Sequence, residues 1–219
     1  MPSMIIDIVS DAICPWCYIG KRRLERALLQ APQADVRIGW RPFQLNPDMP
    51  TEGMDRKDYL RAKFGDDSGG ERYEQIVAAG REEGIAFAFD RIKHTPNTIL
   101  AHRLIRFSAG QNRQAEMVET LFHGYFSEGM DIGDAGALAS LAAIAGIDKA
   151  KAAAFLAGNE EDDTVRQEDA FARQIGIQGV PCFIINRQYA VSGAQPPEAF
   201  VEVFELARKE ESASSPELT

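Results

Sequence analysis

The chain has 219 residues, 45% hydrophobic and 26% charged, which is the usage of one large globular domain or of a domain carrying an insertion. That usage excludes collagen-like, mucin-like and bulk-disordered chains, and no window near ~20 residues is free of charge, which excludes a membrane span. Lys+Arg 24 against Asp+Glu 33 gives a net charge of −9, which argues against nucleic-acid and anionic-membrane surfaces because both need a basic footprint.

Met4–Val9 is short, β-branched and apolar, and predicts a buried strand. The opening Met-Pro-Ser-Met-Ile-Ile-Asp has no basic region and too short an apolar run for a signal segment, so the chain reads as cytoplasmic. Ser10–Ile13 is a loop. From Cys14 the pattern turns helical, with Tyr18, Ile19, Leu24, Ala27 and Leu28 on one face and Lys21, Arg22, Arg23 and Glu25 on another. Pro15 suits the first turn of that helix, where its missing N–H costs nothing, and Pro32 closes it. Val36–Trp40 predicts a second strand. Arg41–Pro50 holds three prolines and reads as irregular.

From about Asp55 to Ile175 no strand pattern stands out. Ala, Glu, Arg and Leu dominate, and recurring Gly and Pro breaks, among them Gly65–Gly70, predict five to seven short helices. Asp90–Pro96 reads as a surface loop. Gln178-Gly179-Val180-Pro181 is a turn. Cys182–Asn186 and Tyr189–Ser192, separated by Arg187-Gln188, predict a hairpin. Pro196 and Pro197 start a last helix to about Lys209, and Glu210–Thr219 reads as a polar, frayed tail. The layout is β-α-β, a long helical stretch, then β-β-α, which is an α/β class.

Three cysteines are too few for a secreted disulfide scaffold, and a cytosolic C-x-x-C points to redox or metal chemistry. Cys14-Pro15-Trp16-Cys17 sits at the first strand-to-helix junction. A helix N-terminus stabilises a thiolate, the reactive form of cysteine. Cys14 is therefore expected to be exposed and nucleophilic, and Cys17, one turn inward, shielded and able to resolve a mixed disulfide. The competing reading is half a zinc site, but only Cys182, His94, His102 and His123 remain as ligands and none is paired at ligand spacing. No metal or other cofactor is expected beyond the redox-active pair itself. Trp16 reads as an exposed aromatic anchor flanking a substrate groove. Val180-Pro181 reads either as an ordinary trans turn or as a cis bond that exposes the Val180 backbone beside Cys14; trans has the base rate on its side.

These features together resemble the thioredoxin fold and, within it, the DsbA-like thiol:disulfide oxidoreductases of the cytosolic FrnE-like branch. Asp11-Ala12-Ile13-Cys14-Pro15-Trp16-Cys17-Tyr18-Ile19-Gly20 carries the likeness, with Arg41-Pro42-Phe43-Gln44-Leu45-Asn46-Pro47, Asn97-Thr98 with Ala101-His102-Arg103-Leu104, and Gly176 through Pro181. The resemblance implies a thioredoxin-like domain of residues 1–50 and 176–219 around an all-helical insertion of 51–175 that roofs the active site. It implies dithiol–disulfide exchange (oxidation, reduction or isomerisation) through Cys14 and Cys17, with a cis Val180–Pro181 aligning a thiol or disulfide substrate, protein or small molecule. Glutathione is a candidate small-thiol co-substrate, and a homodimer through the insertion stays open.

The sequence departs from the family pattern at Ile8, six residues before Cys14, where many thioredoxin-fold chains carry a buried acid. Asp7 is expected to face away by strand alternation. Asp11 reads as a modulator of the pair or as a solvated loop acid or cap, and Cys182 as a small buried hydrophobe or a third thiol. His102 reads as a core histidine ahead of a proton shuttle; Phe43, Phe87 and Phe89 read as core or cleft lining, and Tyr73 and Tyr125 as packing residues. Three other functions compete: a glutathione-dependent kappa-type transferase or isomerase, which usually has Ser at the Cys14 position and lacks the second cysteine; a chaperone-like binding module; and a metal-binding protein using Cys14, Cys17 and Cys182.

Overall fold

Alternation along one strand organises the molecule. In the computed structural model, which describes residues 4–65 and 70–214, β1 (Met4–Ser10) turns Met4, Ile6 and Ile8 into one core and Asp7 and Val9 toward the opposite face. The first face is covered by α1 (Pro15–Gln30), which returns the chain to β2 (Val36–Pro42), parallel to β1. A parallel pair needs such a crossover. The strand extends two residues beyond its expected end at Trp40, to Pro42. β2 is an edge of the sheet, where a proline's missing N–H is tolerated.

The described residues of the insertion form seven α-helices, within the expected five to seven: α2 (Arg56–Phe64), α3 (Gly70–Glu82), α4 (Ile99–Ala109), α5 (Gln114–Phe126), α6 (Ala135–Ile144), α7 (Lys149–Ala157) and α8 (Asp162–Gln174). Asp55, Asp134 and Asp148 cap α2, α6 and α7 by accepting main-chain N–H bonds with their carboxylates. Residues 66–69 of the predicted Gly65–Gly70 break lie outside the described residues. The structure adds one ladder that the sequence reading lacks: β3 (Met54–Asp55) pairs with β4 (His94–Thr95). Two residues per strand are too few to leave an alternation pattern.

α8 packs on the second face of the sheet, where Ala172 meets Val9, Phe43 and Cys182. The chain then enters β5 (Cys182–Ile185), antiparallel to β1, and β6 (Tyr189–Ser192), antiparallel to β5, giving the order β2-β1-β5-β6. The hairpin turns on Asn186 and Arg187, one residue earlier than expected. Both have positive φ, 50° and 59°, as a type I′ turn requires. The Asn186 side chain also accepts from the Ile5 N–H at 2.8 Å, fastening the hairpin to β1. The last helix, α9 (Pro197–Ser214), buries Phe200 and Phe204 beside α1. It runs five residues past the expected end at Lys209; residues 215–219 of the expected frayed tail lie outside the described residues.

The polar face expected on α1 is not solvent-facing throughout. Lys21 is only 6% exposed, because α5 crosses this face and supplies Glu119. The Glu119 carboxylate accepts from Lys21 Nζ at 2.7 Å, Arg22 Nη2 at 2.5 Å and the Tyr18 hydroxyl at 2.8 Å. Burial alone would raise this carboxyl, but Lys21, Tyr18 and Arg22 outweigh it and hold it below the usual carboxylate range. The folded value therefore lies below the unfolded one, so this contribution is complete above about pH 4.3 and is lost as pH falls through the folded value. Glu119→Gln should lower stability by about 1.5–3 kcal/mol at neutral pH in urea unfolding, and the difference from wild type should shrink as the pH is brought below 4.

Candidate functional site

The β1-to-α1 junction is held by its own backbone. The Asp11 carbonyl accepts the Cys14 N–H and the Cys14 carbonyl accepts the Cys17 N–H, both at 3.0 Å. Cys14 is the N-cap of α1, in extended conformation, with Pro15 in the first turn. Its side chain does not cap the helix. Instead Sγ donates to the Val180 carbonyl at 3.6 Å. The Val180–Pro181 peptide bond is cis. Gly20, six residues further along the chain in α1, permits this approach: a Cβ there would come to 3.0 Å from the Pro181 ring and from Phe183.

Cys14 is not exposed as expected; it is 4% exposed. The insertion closes over it. Cys14, Trp16 and Val180 form one side of a cleft of about 360 Å³, and Arg56, Tyr59, Lys63, Tyr73, Phe89 and Phe126 contribute the other. Trp16, at 37%, stays open at the rim as anticipated. Cys17 is shielded, at 1%. Burial first, and then the Cys14 thiol beside it, push the Cys17 thiol well above its usual range, while the Ser10 hydroxyl and the Asp11 backbone pull the other way. Cys14 and Cys17 are both free thiols.

Asp11 is neither a solvated loop acid nor a side-chain cap. It is wholly buried. Oδ2 accepts the Leu45 N–H at 2.7 Å, and Oδ1 lies 3.4 Å from His102 Nε2, which is also 3.2 Å from the Phe43 carbonyl. An imidazole nitrogen facing two acceptors carries the proton. His102 is a core residue, and its place behind the junction ties α4 to the segment after β2. That segment is pinned elsewhere too: Asp169 accepts the Gln44 N–H at 2.8 Å, and Asn97 donates to the Met49 carbonyl at 2.7 Å.

Strand alternation separates the remaining candidates. Cys182 faces α8 with Val9 and Phe43, on the opposite side of the sheet from Cys14 and Cys17, and burial raises its thiol. Asp7 faces away from the dithiol, as expected, and pairs with Arg41 at 2.9 Å. Phe43 belongs to the core. Phe89 lines the cleft and stacks on Tyr73 at 4.1 Å, and Phe87 backs it at 5.1 Å. Tyr125 is buried, while Tyr73 borders the cleft rather than simply packing. Arg56, Lys63 and Ser10 went unremarked in the sequence, because nothing in spacing or composition distinguishes them from surface polar residues. Among the described residues no group of three His, Cys, Asp or Glu side chains could hold a metal ion.

Residues 5–205 match the DSBA-like thioredoxin domain. The chain belongs to that family. The fold is the DsbA-like thioredoxin fold with a helical insertion, and family and fold together indicate an enzyme of the thiol–disulfide oxidoreductase kind, acting on thiol or disulfide substrates. The chain is 30% identical to the uncharacterized protein YwbO of Bacillus subtilis (strain 168) over 208 residues, covering 94% of this chain and 96% of YwbO. It is 32% identical to a probable DsbA oxidoreductase from Streptomyces coelicolor, whose crystal structure superposes with a TM-score of 0.86 over 94% of this chain and 91% of that one. A 2-hydroxychromene-2-carboxylate isomerase shares the fold at 16% identity, with a TM-score of 0.72 over 96% of this chain and 100% of that one.

Position relative to the cleft, rather than burial, sets the three thiols apart: Cys14 borders it at the N-terminus of α1, Cys17 lies behind Cys14 and Cys182 lies across the sheet. In the folded, reduced protein iodoacetamide should label Cys14, which borders the cleft, at least about tenfold faster than Cys17 or Cys182. Peptide mass mapping after timed quenching reads this directly, and all three should label alike in denaturant.

Proposed function

We propose that this protein is a thiol–disulfide oxidoreductase working by dithiol–disulfide exchange through Cys14-Pro15-Trp16-Cys17, of the FrnE-like branch and cytoplasmic. The carrying observation is the placement of Cys14 at the N-cap of α1, against the Val180 backbone on one wall of a cleft, with Cys17 one turn behind. In the reducing direction the Cys14 thiolate attacks one sulfur of the substrate disulfide, and the other sulfur leaves as a thiolate that takes up a proton. Cys17, losing its proton, then attacks Cys14 Sγ. The second substrate thiol departs, and the two electrons have come from the protein dithiol, now a disulfide. Run backwards, the same steps oxidise a dithiol. Val180 and Pro181 align the substrate chain, and Trp16 flanks it. Asp11 is a positioning residue through its hold on the junction. Cys182 modulates at most through packing, since it lies across the sheet.

The same reading divides the chain into a discontinuous thioredoxin-like domain, 1–50 and 176–219, and a helical insertion, 51–175. It requires no metal or other cofactor, and glutathione serves as the small-thiol co-substrate. Among the described residues no helix is long and apolar enough to cross a membrane. A kappa-type transferase shares the fold, but Cys17 has no part in such chemistry, so the fate of Cys17 separates the two.

Poised in graded glutathione buffers, alkylated and weighed, the protein should show one reversible two-electron transition, with a midpoint between about −270 and −120 mV. The transition should survive Cys182→Ser and vanish in Cys14→Ser, and Cys17→Ser should accumulate a mixed disulfide on Cys14. A flat response across the series would overturn the reading.

A further inference from the structure

The polar residues that border the Cys14 cleft are strongly biased in sign. The chain as a whole carries 33 acidic and 24 basic residues. Yet Arg56, Lys63 and Arg72 border the cleft, and none of its described lining residues is Asp or Glu. Several other half-buried cations of the fold do meet carboxylates. Arg23 and Arg26 share Glu83 at 3.0 Å, and Arg106 meets Glu161 and Glu168 at 2.7 Å. Buried Arg103 has no carboxylate partner among the described residues, but its Nε and Nη2 both donate, to the carbonyls of Phe155, Gly158 and Glu160.

Arg56 and Lys63 differ. Arg56 donates only to neutral hydroxyls, those of Thr95 and Tyr73, and its Nε is buried without a hydrogen-bond partner. Lys63 donates to the Asn46 side-chain carbonyl at 2.7 Å and lies 5.2 Å over the Tyr59 ring. Among the described residues neither has a carboxylate partner. A guanidinium and an ammonium set against aromatic walls, with no counter-charge, form a site for an anion with an apolar body.

We infer that the cleft binds low-molecular-weight disulfides or thiols bearing a carboxylate, with the sulfur at Cys14 and the carboxylate at Arg56 and Lys63. This rests on the exchange chemistry proposed above and names the substrate class for it. The volume favours a small molecule: about 360 Å³ is near the lower end of the ~300–1,000 Å³ range of small-ligand sites. Tyr59, Tyr73 and Phe89 supply the apolar contact.

The test is single-turnover oxidation of the pre-reduced protein by three disulfides of similar length and different charge: 3,3′-dithiodipropionate, hydroxyethyl disulfide and cystamine. Each rate is divided by the rate of the same disulfide with dithiothreitol, which removes intrinsic reactivity. One disulfide consumed gives one protein disulfide and two thiols, so no further reductant enters. The normalised anion-to-cation ratio should be about tenfold or more at low salt, the scale of steering into a cleft of one sign, and should fall toward one at high salt. Lys63→Gln and Arg56→Gln should each lower the ratio about threefold, and Arg56→Lys should restore most of it. Lys63 is on the surface, so its variant reports even if loss of Arg56 disturbs the tyrosine cluster.

A ratio of one or below in the wild type, or a ratio unmoved by both Gln variants, overturns the inference while leaving the exchange reading intact. Faster normalised exchange with a Glu-rich peptide disulfide than with dithiodipropionate also overturns it, because the carboxylate would then belong to a protein. If none of the disulfides reacts, the exchange reading fails. Trp16 fluorescence in Cys14→Ser, titrated with dithiodipropionate, then decides the cleft alone. Saturable quenching weakened by salt and by Lys63→Gln supports the site, and no saturation at millimolar concentration overturns it.

Discussion

One contact, the Cys14 thiol on the Val180 carbonyl, joins residues 166 apart in the chain, and much of the fold serves to hold its two ends together. The strand pairing Val9↔Cys182 brings the turn before β5 to the end of β1, where α1 begins. Asn186 fixes the far end of that pairing by binding Ile5 with both its backbone and its side chain. The missing side chain of Gly20 allows α1 to lie against Pro181 and Phe183. Each device is local and modest in energy. Together they set the distance between two backbone segments that the chain reaches only at its beginning and near its end.

The insertion is as much a part of the site as the sheet. It reaches Cys14 through an aromatic train: Tyr18 of α1 stacks on Phe122 of α5 at 5.0 Å, Phe126 meets Phe87 edge-on at 5.4 Å, and Phe89 and Tyr73 carry the stack to the cleft wall. Glu119 ties α5 to α1 on the adjoining face. The wall is thus anchored to the same helix that presents the thiols, and displacing α5 would leave the buried Lys21 with only the half-exposed Glu25 as a partner. The low exposure of Cys14 follows from that anchoring.

The sequence made the sheet and the dithiol legible because their signals are local. A β-branched run, a C-x-x-C at a helix start and a hairpin with turn residues each fall within a few residues. The tail of the site was not legible for the opposite reason. Asp11 looks like any loop acid until the chain folds Leu45 and His102 onto it, 34 and 91 residues away. Lys21 sits on a helix face whose charges predict solvent, and only the arrival of Glu119 makes it a buried ion pair. Arg56 opens α2 after the N-cap Asp55 and reads as a surface cation; that no carboxylate meets it among the described residues is a property of the folded cleft alone. Cys182 was decidable in principle. Strand alternation from Pro181 puts it on the face away from Cys14, as it does Asp7.

The electrostatics of the pair impose an order on the proposed exchange. Cys17 resists ionisation because it is buried and because Cys14 beside it adds a hydrogen bond and a charge of the same sign. Once Cys14 is bonded to a substrate sulfur its charge is gone, and with it the part of the opposition that came from Cys14. Burial remains, as do the helpful Ser10 hydroxyl and Asp11 backbone. Cys17 is therefore easier to deprotonate after the first step than before it, so resolution is favoured only once there is something to resolve. Val180 is released one step earlier. The Cys14 thiol gives its hydrogen to the Val180 carbonyl, but neither the attacking thiolate nor the sulfur of the mixed disulfide has one to give, so the carbonyl is without that donor when a substrate arrives. The S–H bond is a weak donor, so the loss is small, and a main-chain N–H of the incoming substrate is a stronger replacement. Nucleophile and docking edge are thus coupled through one hydrogen atom.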